Sequence, residues 1–312
     1  MPGRVMRILI TGSTGLLGST LHRTAPPDVM LFGIYLSGRP LGQSLPGAIR
    51  AADIRKREQI EDVFAWARPD VVIHTAGVGS VDFAEKNRSE AYISNVVGTK
   101  IVGQAARRYG ARFIYVSSNA VFDGEHPPYA EDDPVNPINY YGELKVEAEE
   151  WVKSSGLSYT IVRPILMYGW PFPGGRGNLV TWCIDSLEKG KSIKVVDNVF
   201  SKPLLVTACA EAIWTIVGRE CNGVYHVAGA DHLSLYEFLR LVAKVFELNA
   251  DLIEPVPDSY FSSQLAPRPK DTSFSTEKME RELELKPVKV LDGLRYMKAT
   301  RPNNLNDVRG DR

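Results

Sequence analysis

The sequence predicts an α/β fold, a doubly wound parallel sheet carrying a smaller mixed α/β substrate lobe, and three observations predict it. Short apolar runs alternate with stretches of helical spacing, a glycine-rich turn follows the first run, and a Pro-Gly-rich break at residues 169–177 ends the alternation. Alternation of this kind implies crossover helices, because parallel neighbours cannot be joined by a tight hairpin.

Each element follows from its own residues. The run at residues 5–10 stops at Thr11-Gly12 and reads as a buried strand. Further runs lie at 30–36 (MLFGIYL), 71–74 (VVIH), 113–117 (FIYVS) and 159–162 (YTIV), with helical spacing at 57–66 and 91–109 between them. Beyond the break, NGVYHV at 222–227 reads as a strand that rejoins the first sheet, residues 234–246 as a helix and 255–269 as a Pro-rich connection. Residues 1–168 are thus expected to bind a dinucleotide and to receive a strand near 222–228, while 169–300 mainly bind substrate. Residues 301–312, almost free of apolar side chains, are expected to form a disordered tail.

Composition narrows the function. In 312 residues, 37 Lys+Arg balance 37 Asp+Glu, so no broad field draws the chain to nucleic acid or an anionic membrane. Cys183, Cys209 and Cys221 are an odd set without CxxC spacing, which argues for reduced thiols rather than a disulfide framework or a zinc site. With no signal-like apolar segment near the start and no apolar run of about 18 residues, a soluble cytoplasmic protein is expected.

The turn Thr11-Gly12-Ser13-Thr14-Gly15-Leu16-Leu17-Gly18 joins the first strand to a helix running through Leu21. Gly12 permits a tight turn, Gly15 lets backbone N–H groups reach a pyrophosphate, and Gly18 lets the helix pack closely on the strand. The anion would rest at the positive end of that helix, making this a Rossmann-type site in which Thr14, Leu16 and Leu17 complete the turn. After the second strand comes Tyr35-Leu36-Ser37-Gly38-Arg39, with no acid for ribose hydroxyls and with Ser37 and Arg39 able to bind a 2′-phosphate. NADP(H) is expected ahead of NAD(H).

Ser117-Ser118-Asn119 ends the 113–117 run, and Tyr141 and Lys145 follow four residues apart on one helical face. A neighbouring ammonium favours the phenolate and would draw the tyrosine from its usual value of about 10 toward working pH. Such a tyrosine can pass a proton to or from a substrate oxygen. A YxxxK alone arises often by chance; its combination with the glycine turn and a strand-end serine is what carries the reading.

At these residues the chain resembles the extended short-chain dehydrogenase/reductase family. The matching features are TGSTGLLG, Asp53 in AADI, the strand end His74-Thr75-Ala76-Gly77, Asn95 in ISNVVGT, YVSSNAVFDG, Tyr141/Lys145 and VRPILMYG, in family order. The resemblance implies a dinucleotide across the glycine turn, Asp53 and Ile54, Ala76 and Gly77, Asn95, Tyr141, Lys145 and Pro164, with Asp53 at the adenine. By position, Ser118 would polarise the substrate oxygen, Tyr141 would be the acid/base, Lys145 would bind ribose and tune Tyr141, and Asn95 would hold a relay water.

Within the family, VDFAEKN (81–87), SSNAVFDG with PPYAEDDPVNPINYYGELK, and RPKDTSFSTEKM (268–279) resemble dTDP-4-dehydrorhamnose reductases and, at least as strongly, the methionine adenosyltransferase beta subunit. Where the reductases commonly carry Thr-Asp-Tyr, this chain has Ser118-Asn119-Ala120. Asn119-Ala120 also lacks the Asp-Glu pair of sugar-nucleotide dehydratases, which speaks against dehydration. The expected function is NADP(H)-dependent reduction of a nucleotide-linked 4-keto-6-deoxy sugar, with a non-catalytic NADP-binding regulatory subunit and a 4-epimerase as alternatives. Partners would be the nucleotide sugar and a second copy of the chain in a homodimer. Asn178, Trp182 and Arg268 are the candidate substrate contacts. No metal is expected, since His74 lacks ligands at metal spacing and Glu131-Asp132-Asp133 reads as a solvated turn.

Overall fold

The computed structural model describes residues 5–36, 45–261 and 265–302. Seven strands form one sheet: β1 (Met6–Thr11), β2 (Val29–Tyr35), β3 (Ala48–Ala51), β4 (Val71–His74), β5 (Arg112–Val116), β6 (Tyr159–Pro164) and β7 (Gly223–Val227). Their spatial order is β7-β6-β5-β4-β1-β2-β3 and every pairing is parallel. The chain builds outward from β1 to β3, then crosses back to β4 and builds the other way. That reversal puts the carboxyl ends of β1 and β4 side by side, the crevice where open parallel sheets bind ligands.

The described residues form ten α-helices: α1 (Leu16–Arg23), α2 (Arg57–Ala67), α3 (Val81–Lys86), α4 (Arg88–Tyr92), α5 (Gly98–Tyr109), α6 (Tyr140–Ser154), α7 (Leu179–Glu188), α8 (Val206–Gly218), α9 (Leu235–Phe246) and α10 (Val290–Ala299). Both faces of the sheet are covered. In β1, Ile8 and Ile10 pack with Leu17 and Leu21 of α1 and Ile213 of α8, while Leu9 points the other way into Ile60 and Phe64 of α2 and Val102 of α5. A period-two strand with both faces buried reads as a continuous apolar run, which is why it stood out in the sequence. Gly18 allows α1 this approach: a Cβ there would lie 2.2 Å from the Gly12 carbonyl oxygen.

Two elements differ from expectation. β3 has no buried residue, so its sequence AIRA offers no apolar run to read. The helix expected over 91–109 is interrupted by a π-helical turn at Ile93–Val97 between α4 and α5. There Asn95 turns to the loop after β4, donating Nδ2–H to Val78 O (3.0 Å) and accepting Val78 N–H at Oδ1 (2.6 Å). Buried His74 links the same region: Thr11 Oγ1 lies 2.8 Å from Nδ1, Nε2 lies 3.0 Å from Thr99 Oγ1, and Thr99 donates to Asn95 O (2.6 Å). Because the Thr99 hydroxyl proton goes to Asn95, His74 carries its proton on Nε2 and accepts from Thr11 at Nδ1.

The second lobe holds three two-stranded pairs, Met167–Tyr168 with Leu204–Leu205, Phe200–Ser201 with Leu233–Ser234, and Ile193–Val196 with Ile253–Val256. Its core joins Ile184 of α7, Phe238 and Val242 of α9 and Leu294 of α10. A capping box starts α9, Ser234 Oγ accepting Glu237 N–H (3.1 Å) and Glu237 accepting Ser234 N–H (2.8 Å). Among the described residues no helix is long and apolar enough to cross a membrane.

Beneath the sheet end, Glu149 of α6 and Arg163 of β6 form a two-point ion pair, Nε–H to Oε1 at 2.9 Å and Nη2–H to Oε2 at 2.7 Å, each side chain 1% exposed. Glu149→Gln, which leaves a buried guanidinium without its charge partner, is expected to cost about 3–5 kcal/mol of stability in urea denaturation. The double change Glu149→Met with Arg163→Met should cost much less, and equal losses in the two variants would contradict this account.

Candidate functional site

Several of the expected functional residues sit at strand ends on one edge of the sheet. The glycine turn follows β1, Asp53 and Ile54 follow β3, Ala76 and Gly77 follow β4, Ser118 follows β5, and Pro164 ends β6. Ser37 and Arg39 lie outside the described residues, as do residues 303–312 of the expected tail.

The N-terminus of α1 has no side-chain cap and no acid in its first turn. Gly15 N–H turns back to Gly12 O (2.9 Å), so the turn closes on itself and leaves the first helical N–H groups to an anion. This donor set fits a pyrophosphate. Ala76 N–H donates to Thr11 Oγ1 (3.2 Å), and Ile54 is buried against Gly98 of α5. Asp53 accepts from Arg55 at both oxygens, Nε to Oδ1 at 2.9 Å and Nη2 to Oδ2 at 2.8 Å, and this holds its carboxyl below the usual range. The side chain of Asn95 is bonded to both backbone groups of Val78.

A cavity of about 750 Å³ opens beside these strand ends, with Ser118, Asn119, Asn139, Tyr141, Pro164 and Arg268 among its lining residues. Asn139 caps α6, its Oδ1 accepting Gly142 N–H (2.9 Å), and so fixes where the helix and Tyr141 begin. Gly142 lets this first turn reach the Ser118 loop, since a Cβ there would lie 2.2 Å from Ala120 O. Ser118 Oγ accepts Ala120 N–H (3.1 Å) and donates to Asn119 Oδ1 (3.3 Å), while Asn119 Nδ2–H donates to Thr272 Oγ1.

Lys145 is buried one turn below Tyr141, its Nζ donating to Val116 O (3.0 Å) and lying 5.8 Å from the Tyr141 ring centre. Burial pushes its amine down to about 8, opposed by the charge of Glu149. Tyr141 departs from expectation. Burial pushes its phenol up, and what works against that is a hydrogen bond with Ser118 and the charge of Arg176, not Lys145. The reason is geometric: the ammonium is turned toward a backbone carbonyl, and a phenolate loses more by desolvation than it gains. Arg176 belongs to the Pro-Gly break, where the sequence carries no periodic signal to single it out.

The three substrate candidates separate. Arg268 lines the cavity. Asn178 caps α7, accepting from Val180 and Thr181 N–H and donating to Gly169 O (2.7 Å), and Trp182 is 44% exposed; neither is among the described lining residues. Of the acidic run, Glu131 accepts His226 N–H (3.0 Å) and Asp133 accepts Ala130 N–H (2.7 Å). No cluster of three or more metal-ligating side chains occurs among the described residues.

The model of the RmlD substrate binding domain matches residues 6–300. The chain belongs to that family. Its membership places the chain among the nucleotide-sugar branch of the extended short-chain dehydrogenase/reductases, in keeping with the motifs above. Among relatives, methionine adenosyltransferase 2 subunit beta of Xenopus tropicalis is 30% identical over 290 residues, covering 90% of this chain and 83% of that one. The dTDP-4-dehydrorhamnose reductase of Burkholderia thailandensis is 28% identical over 292 residues, covering 88% and 92%. In structure, the chain is similar to dTDP-4-dehydrorhamnose reductase from Bacillus anthracis in complex with NADP, with a TM-score of 0.82 and 28% identity over 95% of this chain and 100% of that one.

The lowered value of Lys145 has a consequence for stability. Its amine releases its proton near 8 in the folded chain and near 10.4 in the unfolded one, so between these values the unfolded state binds more protons and stability rises with pH. Lys145→Met removes that contribution. The stability of the variant relative to the parent should fall by on the order of 1–3 kcal/mol from pH 7.5 to pH 10 in paired urea titrations, and a pH-independent difference would contradict the burial argument.

Proposed function

We propose that this protein reduces the carbonyl of a nucleotide-linked 4-keto-6-deoxy sugar using NADP(H). The observation that carries the reading is that Ser118 and Tyr141 both line the cavity with Lys145 buried behind them, in a chain whose first strand ends in an uncapped glycine turn. The turn from Thr11 to Gly18, with Asp53, Ile54, Ala76 and Gly77 at neighbouring strand ends, would hold the dinucleotide, which supplies the hydride when bound. Ser118, by turning its single hydroxyl proton from Asn119 Oδ1, donates a hydrogen bond to the substrate oxygen and stabilises its developing negative charge. Tyr141, kept protonated at neutral pH by its burial, gives its proton to that oxygen. Lys145 presents a positive charge beneath the phenol as the phenolate forms. Asn95, tied to Val78, fixes the loop that carries Ala76 and Gly77 and is a positioning residue in this scheme.

A second reading, an NADP-binding regulatory subunit, draws support from the 30% identity to a methionine adenosyltransferase subunit. Single-turnover oxidation of bound NADPH across a panel of nucleotide 4-keto sugars separates the two. The enzyme oxidises NADPH when a keto sugar is present; the regulatory subunit binds NADPH without turnover and co-elutes with a methionine adenosyltransferase.

Tyr141→Phe should lower turnover by about two or more orders of magnitude while NADPH affinity stays near that of the parent, because the proton donor is lost and the dinucleotide site is not. Unchanged turnover would sink the mechanism. Calorimetric titration should also find NADPH bound more tightly than NADH, with Arg39→Ala narrowing the gap. Equal affinities in the parent would remove Ser37 and Arg39 from cofactor recognition.

A further inference from the structure

Residues 265–269 form a strap that contributes every one of its members to the cavity lining. Asp82, in the first turn of α3, anchors the strap twice: Oδ1 accepts Ala266 N–H at 2.9 Å and Oδ2 accepts Arg268 Nη2–H at 2.7 Å. Between these points Asn139 Nδ2–H donates to Pro267 O (3.0 Å). Among the described lining residues Arg268 is the only Lys or Arg, and the only acid is Asp258, which accepts Asn198 Nδ2–H at 2.9 Å. Among the described lining residues an anionic ligand therefore has one cation to meet, and that cation is already paired; Arg176, whose charge reaches Tyr141, is not among them.

We propose that Asp82 is an internal counter-anion that a phosphate-bearing ligand displaces from Arg268, so that Asp82 sets how much phosphate charge a ligand must carry to bind. The pair is partly exposed, 36% for Arg268 and 30% for Asp82, a setting in which ion pairs are weak and exchange readily. A diphosphate offers the planar guanidinium two oxygens and more charge than one carboxylate, so it outcompetes Asp82 where a neutral ligand does not. The Ala266 N–H to Asp82 bond survives the exchange and keeps the strap in place. The inference rests on the nucleotide-sugar reading only for the source of the phosphate.

Calorimetric titration of inorganic pyrophosphate, dTDP, UDP and thymidine into the full chain, Asp82→Asn, Arg268→Met and the double variant tests it. Asparagine keeps an oxygen for Ala266 N–H and removes the charge, so the strap stays anchored. Asp82→Asn should bind pyrophosphate and dTDP about two- to fivefold more tightly, leave thymidine unchanged, and have no effect once Arg268 is Met. Equal or weaker pyrophosphate binding in Asp82→Asn, or a gain that persists with Arg268→Met, overturns the proposal. If pyrophosphate tightens as expected but neither dTDP nor UDP binds any form, the exchange stands and the nucleotide-sugar reading falls. If dTDP or UDP binds parent and Asp82→Asn alike, the exchange falls and that reading stands.

Discussion

The ion pair between Glu149 and Arg163 fixes α6 against β6, and the position of Tyr141 and Lys145 follows from it. Its reach is wider than two elements. Arg163 Nη1 also lies 3.2 Å from His226 Nε2 on β7, and His226 Nδ1 lies 3.1 Å from Tyr129 O. Since a guanidinium only donates, His226 accepts at Nε2 and carries its proton on Nδ1, a neutral state that burial enforces by pushing the ring down to about 3. The same ring stacks on Phe274 at 3.9 Å, and Phe122 stacks on Tyr129 at 4.1 Å. One buried network thereby joins α6, β6, β7, the loop after Ser118 and the segment that follows the strap.

That network also explains how a lysine can be charged in an enclosed site. Glu149 stands one turn beyond Lys145 on α6, and Arg163 on β6, so two buried cations share one buried carboxylate. Arg163 takes both carboxylate oxygens, which leaves Lys145 a Coulombic benefit but no direct bond in the described contacts, and its amine settles at the Val116 carbonyl. An under-compensated ammonium of this kind is held below its usual value and still protonated at neutral pH. Charge sharing among four side chains from two elements, with Lys153 Nζ 3.5 Å from Glu149 Oε2 at the rim, is therefore part of the site, although only Lys145 faces the tyrosine.

Much of this was legible in the sequence because it is written in local pattern. The strands β1, β4, β5 and β6 are buried on both faces and stand out as apolar runs, and the glycine turn and the Tyr141/Lys145 spacing declare themselves by order along the chain. What was hidden depends on distance in the chain. Glu149 and Arg163 are ordinary charged residues until α6 lies on β6, and Asp82 meets Arg268 across 186 residues. The π-helical turn at Ile93–Val97 was hidden for another reason: its residues keep helical spacing, and the Asn95 bonds to Val78 that accompany it are not local to the helix. The effect of Lys145 on Tyr141 was misjudged because spacing gives a shared helical face and says nothing of burial.

The departure at Ser118-Asn119-Ala120 gains a physical meaning from the same long-range contacts. Asn119 stands between the strand-end serine and the segment after the strap, accepting from Ser118 Oγ and donating to Thr272 Oγ1. Asp271, next along, accepts Ser273 N–H at 2.9 Å and pairs with His232 at 2.7 Å, and Phe200 N–H donates to Lys270 O at 2.7 Å, so the segment is laced to the second lobe. The serine, tyrosine and lysine sit on the first sheet and its helix, whereas Thr272, which holds Asn119, and Arg268, which lines the cavity, come from residues 265–272. On the proposed function, a substitution in that segment would alter which ligand reaches Ser118 and Tyr141 and leave Ser118, Tyr141 and Lys145 themselves unchanged. The choice of ligand and the proton chemistry would on that reading be separable, and the contact of Asn119 with Thr272 is where the two sets of residues meet.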